Sequence, residues 1–320
     1  MKPTKKQADL ISKAYNLGKV KSLNPIAGGW VNYNYLLETS RGKFVVRILG
    51  SRIKKETKMR LTNEFKILEY LHKNNFPYEI PYPIKNNEGK YLTEKSKQLF
   101  WVYHYLEGSP IKDYDDATIK SIAKALATYH QYVENVKIND NRKVDSLTKT
   151  YKKYKKMRML KPDTPANKLV LENLGFFEES LKKIKKIKFD TKQVQIHYDF
   201  HKGNLLFDKK KVVGIIDFER FLYAPRILDI TQLIKCTYKK DKKVFMERVN
   251  FIIKEYDKIN PLTKREKGLI LPMLARDNCR MFERFYELIR GSQHKKIHEG
   301  DLSCLKWTID VQKLVMGAMR

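Results

Sequence analysis

Cysteine is scarce in this chain: Cys236, Cys279 and Cys304 are the three among 320 residues, an odd number with no CxxC spacing. That excludes a disulfide framework and a cysteine-ligated zinc site, and leaves ordinary buried thiols in a reducing compartment as the expectation. Long apolar runs are missing as well. Nowhere do the roughly 18 uncharged apolar residues of a membrane span follow one another. The opening Met1-Lys-Pro-Thr-Lys-Lys-Gln leads into polar sequence without the apolar segment of a signal peptide. A soluble, cytoplasmic protein with no membrane partner is therefore expected. There is no internal repeat, no low-complexity stretch and no Gly/Ser tether.

Acidic residues are the other shortage, 36 against 66 basic ones, for a net charge of +30. Such a field attracts nucleic acid, anionic lipid and anionic metabolites alike. The excess is mostly lysine, spread along the chain, with runs at Lys152, Lys153, Lys155 and Lys156 and at Lys182, Lys183, Lys185, Lys186 and Lys188. Spacings of three and four suit solvated helix faces, and neither a zinc finger nor an RNP element is present, so nucleic acid is not expected as a partner. The shortage of acid outside one central segment also disfavours cationic acceptors such as choline.

What is abundant is core material: 42% hydrophobic and 12% aromatic residues, enough for one domain in two lobes or two small domains. Residues 31–38 and 43–49 read as two strands joined by the turn 39–42, and 55–73 carries Leu61, Phe65 and Leu68 at helical spacing. Further strands are expected at 91–92 and 98–105, so the first hundred residues are mostly strand with one helix. Glu107-Gly-Ser-Pro110 marks a lobe boundary, dividing the chain into 1–107 and 108–320. Long helices follow at 116–133 and 166–187 and again from 225 onward, interrupted by a strand-rich island at 194–218. The fold class is α+β, a small antiparallel-sheet lobe with one helix followed by a larger helical lobe with an inserted hairpin.

The island carries the chemistry. It reads His197-Tyr-Asp199-Phe-His201-Lys-Gly-Asn204-Leu-Leu-Phe, a turn, and then Val-Val-Gly-Ile-Ile-Asp217-Phe-Glu219. Asp199 and Asn204 stand five apart, as in the H-R-D-x-x-x-x-N loop of protein kinases. The apolar strands 205–207 and 212–216 form a hairpin that returns Asp217 to the end where Asn204 sits. Two hard oxygen donors there suit magnesium, which takes few protein ligands and leaves room for water and phosphate. Asp199 is then placed to orient a substrate hydroxyl or accept its proton. His197 braces the loop.

His-x-Asp-x-His-x-x-Asn followed by Ile-Asp-Phe-Glu resembles the signature of the aminoglycoside phosphotransferase and choline kinase superfamily. The resemblance implies a protein-kinase-like two-lobed fold. It implies ATP and Mg²⁺ as cofactors and the hydroxyl of a small molecule as phosphoryl acceptor. By that likeness Asp199 is the catalytic aspartate, Asn204 and Asp217 bind the metal, and His201 is structural or orients substrate. Asp229 matches a family aspartate that steadies the catalytic loop; a helix-N-terminal charge is the other reading.

In kinases a basic residue on the third strand holds phosphates and pairs with a glutamate on the next helix. Arg47 and Glu64 fit those places. Gly28-Gly29-Trp-Val-Asn32-Tyr-Asn34-Tyr35 resembles the phosphate-covering run of type II homoserine kinases, and 101–106, with Val102 and Tyr103, is the inter-lobe segment expected to meet adenine. Homoserine or a similar amino alcohol leads among acceptors, then a sugar or aminoglycoside. Arg276, Asp277, Asn278 and Arg280 interrupt an apolar helix and either line the acceptor pocket or face solvent. Asp217-Phe-Glu in place of D-F-G disfavours a protein kinase. A catalytically weak, spore-coat-like binding or structural component is the alternative.

Overall fold

The run Phe44-Val-Val-Arg-Ile-Leu49 is buried at every position, so its strand needs cover on both faces. In the computed structural model, which describes residues 4–26, 32–50, 55–95, 98–111, 113–138, 142–144, 146–291 and 299–319, it has that cover. The chain clusters into two compact units. The first comprises Met1–Asp113, Ile138–Asp140 and Lys202–Phe221; the second comprises Tyr114–Lys137, Asn141–His201 and Leu222–Arg320.

In the first unit, β1 (Val20–Pro25), β2 (Asn32–Thr39), β3 (Gly42–Leu49), β4 (Thr93–Lys95) and β5 (Gln98–His104) form an antiparallel sheet in the order β1-β2-β3-β5-β4. One face packs under α1 (Lys5–Ala14), where Ala8 and Ile11 meet Leu37, Phe44, Val46 and Val102. The opposite face meets α2 (Lys55–Lys73), whose Phe65 stands edge-on to Trp101 at 5.3 Å. Each such fully buried apolar side chain contributes about 1.5–3 kcal/mol. Because Arg47 lies opposite Trp101 in the β3–β5 register, its side chain belongs to the α2 face.

Helix α1 was not expected, yet its start is written in the sequence. Thr4 and Gln7 form a capping box, with the Gln7 Oε1 accepting from Thr4 N at 2.7 Å and Thr4 Oγ1 from Gln7 N at 3.3 Å. Strand β1 was not expected either, and β4 lies at Thr93–Lys95 instead of 91–92; β2, β3, β5 and α2 lie within one residue of their expected positions. The hairpin of β7 (Leu205–Asp208) and β8 (Lys211–Ile215) also belongs to this unit. It docks through bridges from Ser109 to Phe207 and from Glu79 to Gly214. Gly108, at φ +131°, allows the first: a Cβ there would lie 2.9 Å from that of Leu206.

The second unit is helical, with α3 (Asp116–Tyr132), α4 (Leu147–Met157), α5 (Pro165–Lys185), α6 (Ile227–Cys236), α7 (Lys242–Asp257), α8 (Lys264–Gly291) and α9 (Glu299–Ala318). A two-stranded ladder pairs β6 (Gln193–Ile196) with β9 (Leu222–Pro225). Side-chain caps on Asp115, Ser146, Thr164 and Asp241 start four helices, and losing one typically costs about 1 kcal/mol. Helix α8 is central. Phe282 stacks on Phe177 of α5 at 3.9 Å, and Tyr154 of α4 donates to the Cys279 carbonyl at 2.6 Å.

The lysine runs are exposed with one exception. Lys153 turns inward to Glu283 of α8 at 2.7 Å, so it is not part of the solvated face expected for it. Among the cysteines Cys279 is buried, whereas Cys236 and Cys304 are half-buried, and all three are free thiols. No helix among the described residues is long and apolar enough to cross a membrane.

Candidate active site

The hairpin does what its apolar pattern requires. Leu205 pairs with Ile215, and the Ile216 amide donates to the Asn204 carbonyl at 2.9 Å, which brings Asn204 and Asp217 to the same end. Asp217 leaves the strand in the left-handed region, at φ +65° and ψ +60°, a conformation that Asp tolerates better than most residues. Both side chains line a cavity of about 270 Å³ in the first unit, with Arg47 and Asn34 also on its wall. Val45, Tyr103, Leu206 and Ile216 make its apolar side. A larger cavity, about 640 Å³, lies against α2 and residues 86–94 and is lined by none of Arg47, Asn204 and Asp217.

Arg47 is the electrostatic centre of this unit. Its Nη2 lies 2.9 Å from Asp217 Oδ1 and 3.0 Å from Glu219 Oε2, and Glu219 Oε2 also accepts from Asn32 Nδ2 at 2.8 Å. Burial alone would make the guanidinium easier to deprotonate; Asp217, Glu64 and Glu219 outweigh it and hold its pKa above the ordinary value. Glu64 is in a different state. It is buried, and neither carboxylate oxygen has a hydrogen-bond partner among the described residues. Burial raises its pKa to about 7 against the pull of Arg47, with Asp217 and Glu219 adding to the rise. Asn32 Oδ1 and Asn34 Oδ1 are likewise buried without a hydrogen-bond partner among the described residues.

Of the other expected nucleotide contacts, Tyr103 lines the cavity, and burial lifts its phenol pKa to about 12. Val102 faces the opposite, α1 side, and its carbonyl accepts from the Ile84 amide at 2.8 Å. Gly28 and Gly29 lie outside the described residues. Glu219 was named in the sequence only as part of the Ile-Asp-Phe-Glu run; its bond to Asn32 spans 187 positions, and no local pattern reports that pairing.

The second unit holds the segment around Asp199. Asp229, in the first turn of α6, accepts from the His197 amide through Oδ2 and from the Tyr198 amide through Oδ1, both at 2.8 Å. This favours the loop-steadying reading over a bare helix-terminal charge. Tyr198 takes φ +63°, an uncommon conformation that those two bonds help to hold. His130 Nε2 lies 3.1 Å from Asp229 Oδ2, and its Nδ1 lies 2.8 Å from the Tyr256 hydroxyl. Burial lowers the His130 pKa, partly countered by Asp229. A neutral ring with its proton on Nε2, donating to Asp229 and accepting from Tyr256, fits both contacts.

His197 is buried with its ring edge-on to Phe200 at 5.6 Å, a bracing position. His201 is exposed enough to meet solvent, and its Nε2 lies 3.7 Å from Asp199 Oδ1, too far for a hydrogen bond. In the same unit Arg226 bonds Glu266 at 2.7 and 2.8 Å and Asn260 at 2.5 Å.

Among the described residues no three His, Cys, Asp or Glu side chains are grouped to hold a metal. The donor set that does converge, Asn204 with Asp217, fits an ion that draws most of its ligands from water and phosphate.

A protein-family model described as the phosphotransferase enzyme family, APH, matches residues 22–250. The chain belongs to this family. It is a phosphotransferase with an alcohol group as acceptor, of the small-molecule kinase type. The homoserine kinase of Methylobacillus flagellatus is 26% identical over 259 residues, 79% of this chain and 76% of that protein. The solved aminoglycoside phosphotransferase from Alicyclobacillus acidocaldarius superposes with a TM-score of 0.71 at 15% identity, covering 100% of this chain and 96% of that one. Amicoumacin kinase hAmiN, in complex with AMP-PNP, Ca²⁺ and Ami, gives a TM-score of 0.68 at 17% identity, covering 97% of this chain and 94% of that one. The fold of this phosphotransferase is α+β and protein-kinase-like.

Proposed function

We propose that this phosphotransferase uses ATP and magnesium to phosphorylate the hydroxyl of a small acceptor. Homoserine or a similar amino alcohol is first among the candidates, and a sugar or aminoglycoside is next. The observation that carries this reading is the β7–β8 hairpin, which sets Asn204 and Asp217 on one cavity with Arg47. The AMP-PNP in amicoumacin kinase supports the nucleotide. The homoserine kinase relative, together with the run Gly29-x-x-Asn32-x-Asn34-Tyr35, supports the acceptor.

In this reading Asn204 and Asp217 hold magnesium, which when bound neutralises charge on the phosphates. Arg47 turns from its carboxylates to the α- and β-phosphates. Val45, Leu206 and Ile216 form an apolar seat for the adenine, which meets backbone groups of 102–105. Gly28, Gly29, Asn32 and Asn34 cover phosphate. Asp199 orients the acceptor hydroxyl and takes its proton as the new O–P bond forms and the γ-phosphorus separates from the β–γ bridging oxygen, releasing ADP. His197 braces this segment and His201 orients the acceptor. Residues 1–107 serve as the nucleotide-binding lobe and 108–320 as the catalytic and acceptor lobe of a cytoplasmic enzyme without a nucleic-acid partner.

The test is calorimetric titration of ATP with and without Mg²⁺, on wild type and Asp217→Ala, beside a screen of hydroxyl compounds for ADP release. Magnesium-dependent binding that Asp217→Ala abolishes, with release on at least one acceptor, is expected. Equal affinity in all four titrations refutes the metal assignment. Intact binding without any turnover favours the inactive, structural alternative.

A further inference from the structure

The larger cavity of the first unit, about 640 Å³ between α2 and residues 86–94, has no part in the reaction proposed above. Its volume is that of a small-molecule site. The floor is apolar: Phe65 and Leu99 are buried there, and Leu92 and Tyr91 continue the wall. The rim is a fixed turn. Asn86 Oδ1 accepts from the Glu88 amide at 3.0 Å and the Lys90 amide at 2.9 Å, and Asn86 Nδ2 donates to Thr93 Oγ1 of β4 at 3.0 Å.

The charges around this cavity do not cancel. Three lysines, Lys58, Lys66 and Lys90, and three glutamates, Glu69, Glu88 and Glu94, line it. Lys58 pairs with Glu94 at 2.5 Å and Lys90 with Glu88 at 2.9 Å, whereas Glu69 pairs with Lys73, outside the lining, at 3.0 Å. Lys66 is left with no ion-pair or hydrogen-bond partner among the described residues. Lys85 also lies outside the lining, its Nζ 5.5 Å from the centre of the Tyr91 ring, and adds to the positive field. An apolar floor with one unmatched ammonium in its wall is complementary to an apolar molecule carrying one negative charge. Lys66 is exposed, so its pairing is weak, and most of the affinity comes from the floor.

A row of rings joins this cavity to the one that holds Arg47. Tyr91 stands edge-on to Phe65 at 5.5 Å, Phe65 to Trp101 at 5.3 Å, and Trp101 lies 5.0 Å from Tyr103. Tyr91 and Phe65 line the larger cavity, and Tyr103 lines the smaller. Trp101 is also opposite Arg47 in the β3–β5 register, and Phe65 follows Glu64 on α2. Close-packed side chains of this kind transmit displacement, so a molecule seated on Phe65 and Tyr91 bears on the surroundings of Arg47.

We infer that the larger cavity is an effector site for a small amphipathic monoanion. Its apolar or aromatic body sits on Phe65, Leu92 and Leu99, its carboxylate meets Lys66, and its occupancy is linked to nucleotide binding at Arg47. The linkage rests on the nucleotide site proposed above; the binding does not.

The probes are indole-3-acetate and its neutral analogue indole-3-acetamide, titrated by calorimetry into wild type, Lys66→Gln and Lys66→Arg, with and without MgAMP-PNP. Indole-3-acetate is expected to bind wild type with a Kd of about 1 mM, the usual yield for a ligand of this size. It should bind about threefold more tightly than the amide, as one exposed charge pair allows. Lys66→Gln should erase that preference, Lys66→Arg should keep it, and the Kd for MgAMP-PNP without probe should equal that of wild type in both, which also shows that they are folded. Saturating probe should change the MgAMP-PNP Kd about fivefold or more, and saturating nucleotide should change the probe Kd by the same factor. The inference is overturned by no saturable probe binding, by equal affinity for acid and amide in wild type, or by a preference that survives in Lys66→Gln. It is equally overturned if the MgAMP-PNP Kd is unchanged by bound probe, or rises without limit as probe is added, the mark of competition for the nucleotide cavity. If wild type binds no MgAMP-PNP, the proposed function falls and the linkage with it, while the acid–amide comparison still tests the cavity.

Discussion

The two units each contain a buried polar centre, and the two are built on opposite terms. Around Asp229 the carboxylate has partners on both oxygens: two backbone amides and His130, which continues to Tyr256. Around Arg47 one guanidinium nitrogen serves Asp217 and Glu219, while the nearby Glu64 is buried with no hydrogen bond to either oxygen among the described residues. A satisfied network costs little to keep and fixes geometry; an unsatisfied one is stable only while something else completes it. In the proposed function the first pattern is scaffolding for the segment around Asp199, and the second is a place for charged ligands.

The sharpest way to break that contrast is at Asp199. Asp199→Asn keeps the size of the side chain but cannot take a proton, and should lower kcat by about 10²–10⁴, roughly 3–5 kcal/mol of barrier, with MgATP affinity unchanged. The measurement is kcat with a real acceptor plus nucleotide titration. Near-normal kcat when phosphoryl transfer limits the rate would remove Asp199 from the chemistry.

Asp229→Ala should act next most strongly, and on stability. It strips the acceptor from two backbone amides and from His130, all in a buried site, and should cost about 3 kcal/mol or more in urea unfolding. If stability were unchanged and only kcat fell, the network would not be scaffolding.

Glu64 gives the pH-dependent version of the comparison. Its folded pKa of about 7 lies above its unfolded 4.5, so the neutral carboxyl stabilises the fold fully below pH 4.5, and that contribution is lost as pH rises through 7. Glu64→Gln stays neutral throughout. Its stability relative to wild type should therefore grow between pH 4.5 and 8, by up to about 3 kcal/mol. A flat difference across that range would mean Glu64 is ionised and paired in solution.

The smallest effect is expected on the lysine-rich helix α4. Changing exposed Lys152, Lys155 and Lys156 together to Gln should leave turnover unchanged, whereas Lys153→Gln should lower Tm because it strands Glu283, of which 3% of the side chain is exposed. Tight, salt-sensitive nucleic-acid binding lost in the triple variant would instead make that face an interface.

The sequence by itself determined the elements and the order of the chemistry. Short apolar runs bounded by turns place β2, β3 and the β7–β8 hairpin, and 3.6-residue spacing places α2, α3 and α5. Thr4 and Gln7 mark α1 for a reader who looks for a capping box. The Asp199, Asn204 and Asp217 pattern follows from one hairpin whose ends must meet. All of this is short-range, because backbone conformation and pattern depend on neighbours a few positions away. Only the tertiary structure decided that Arg47 meets Asp217 and Glu219, 170 and 172 positions along the chain, while the Glu64 carboxylate has no hydrogen-bond partner among the described residues. It also decided that Asp229 reaches back 32 and 31 positions to the His197 and Tyr198 amides, and that Lys153 leaves its solvated run for α8. Ion pairs and pKa values are set by burial and by charges that folding brings together, and neither quantity is encoded in the spacing of residues along a chain.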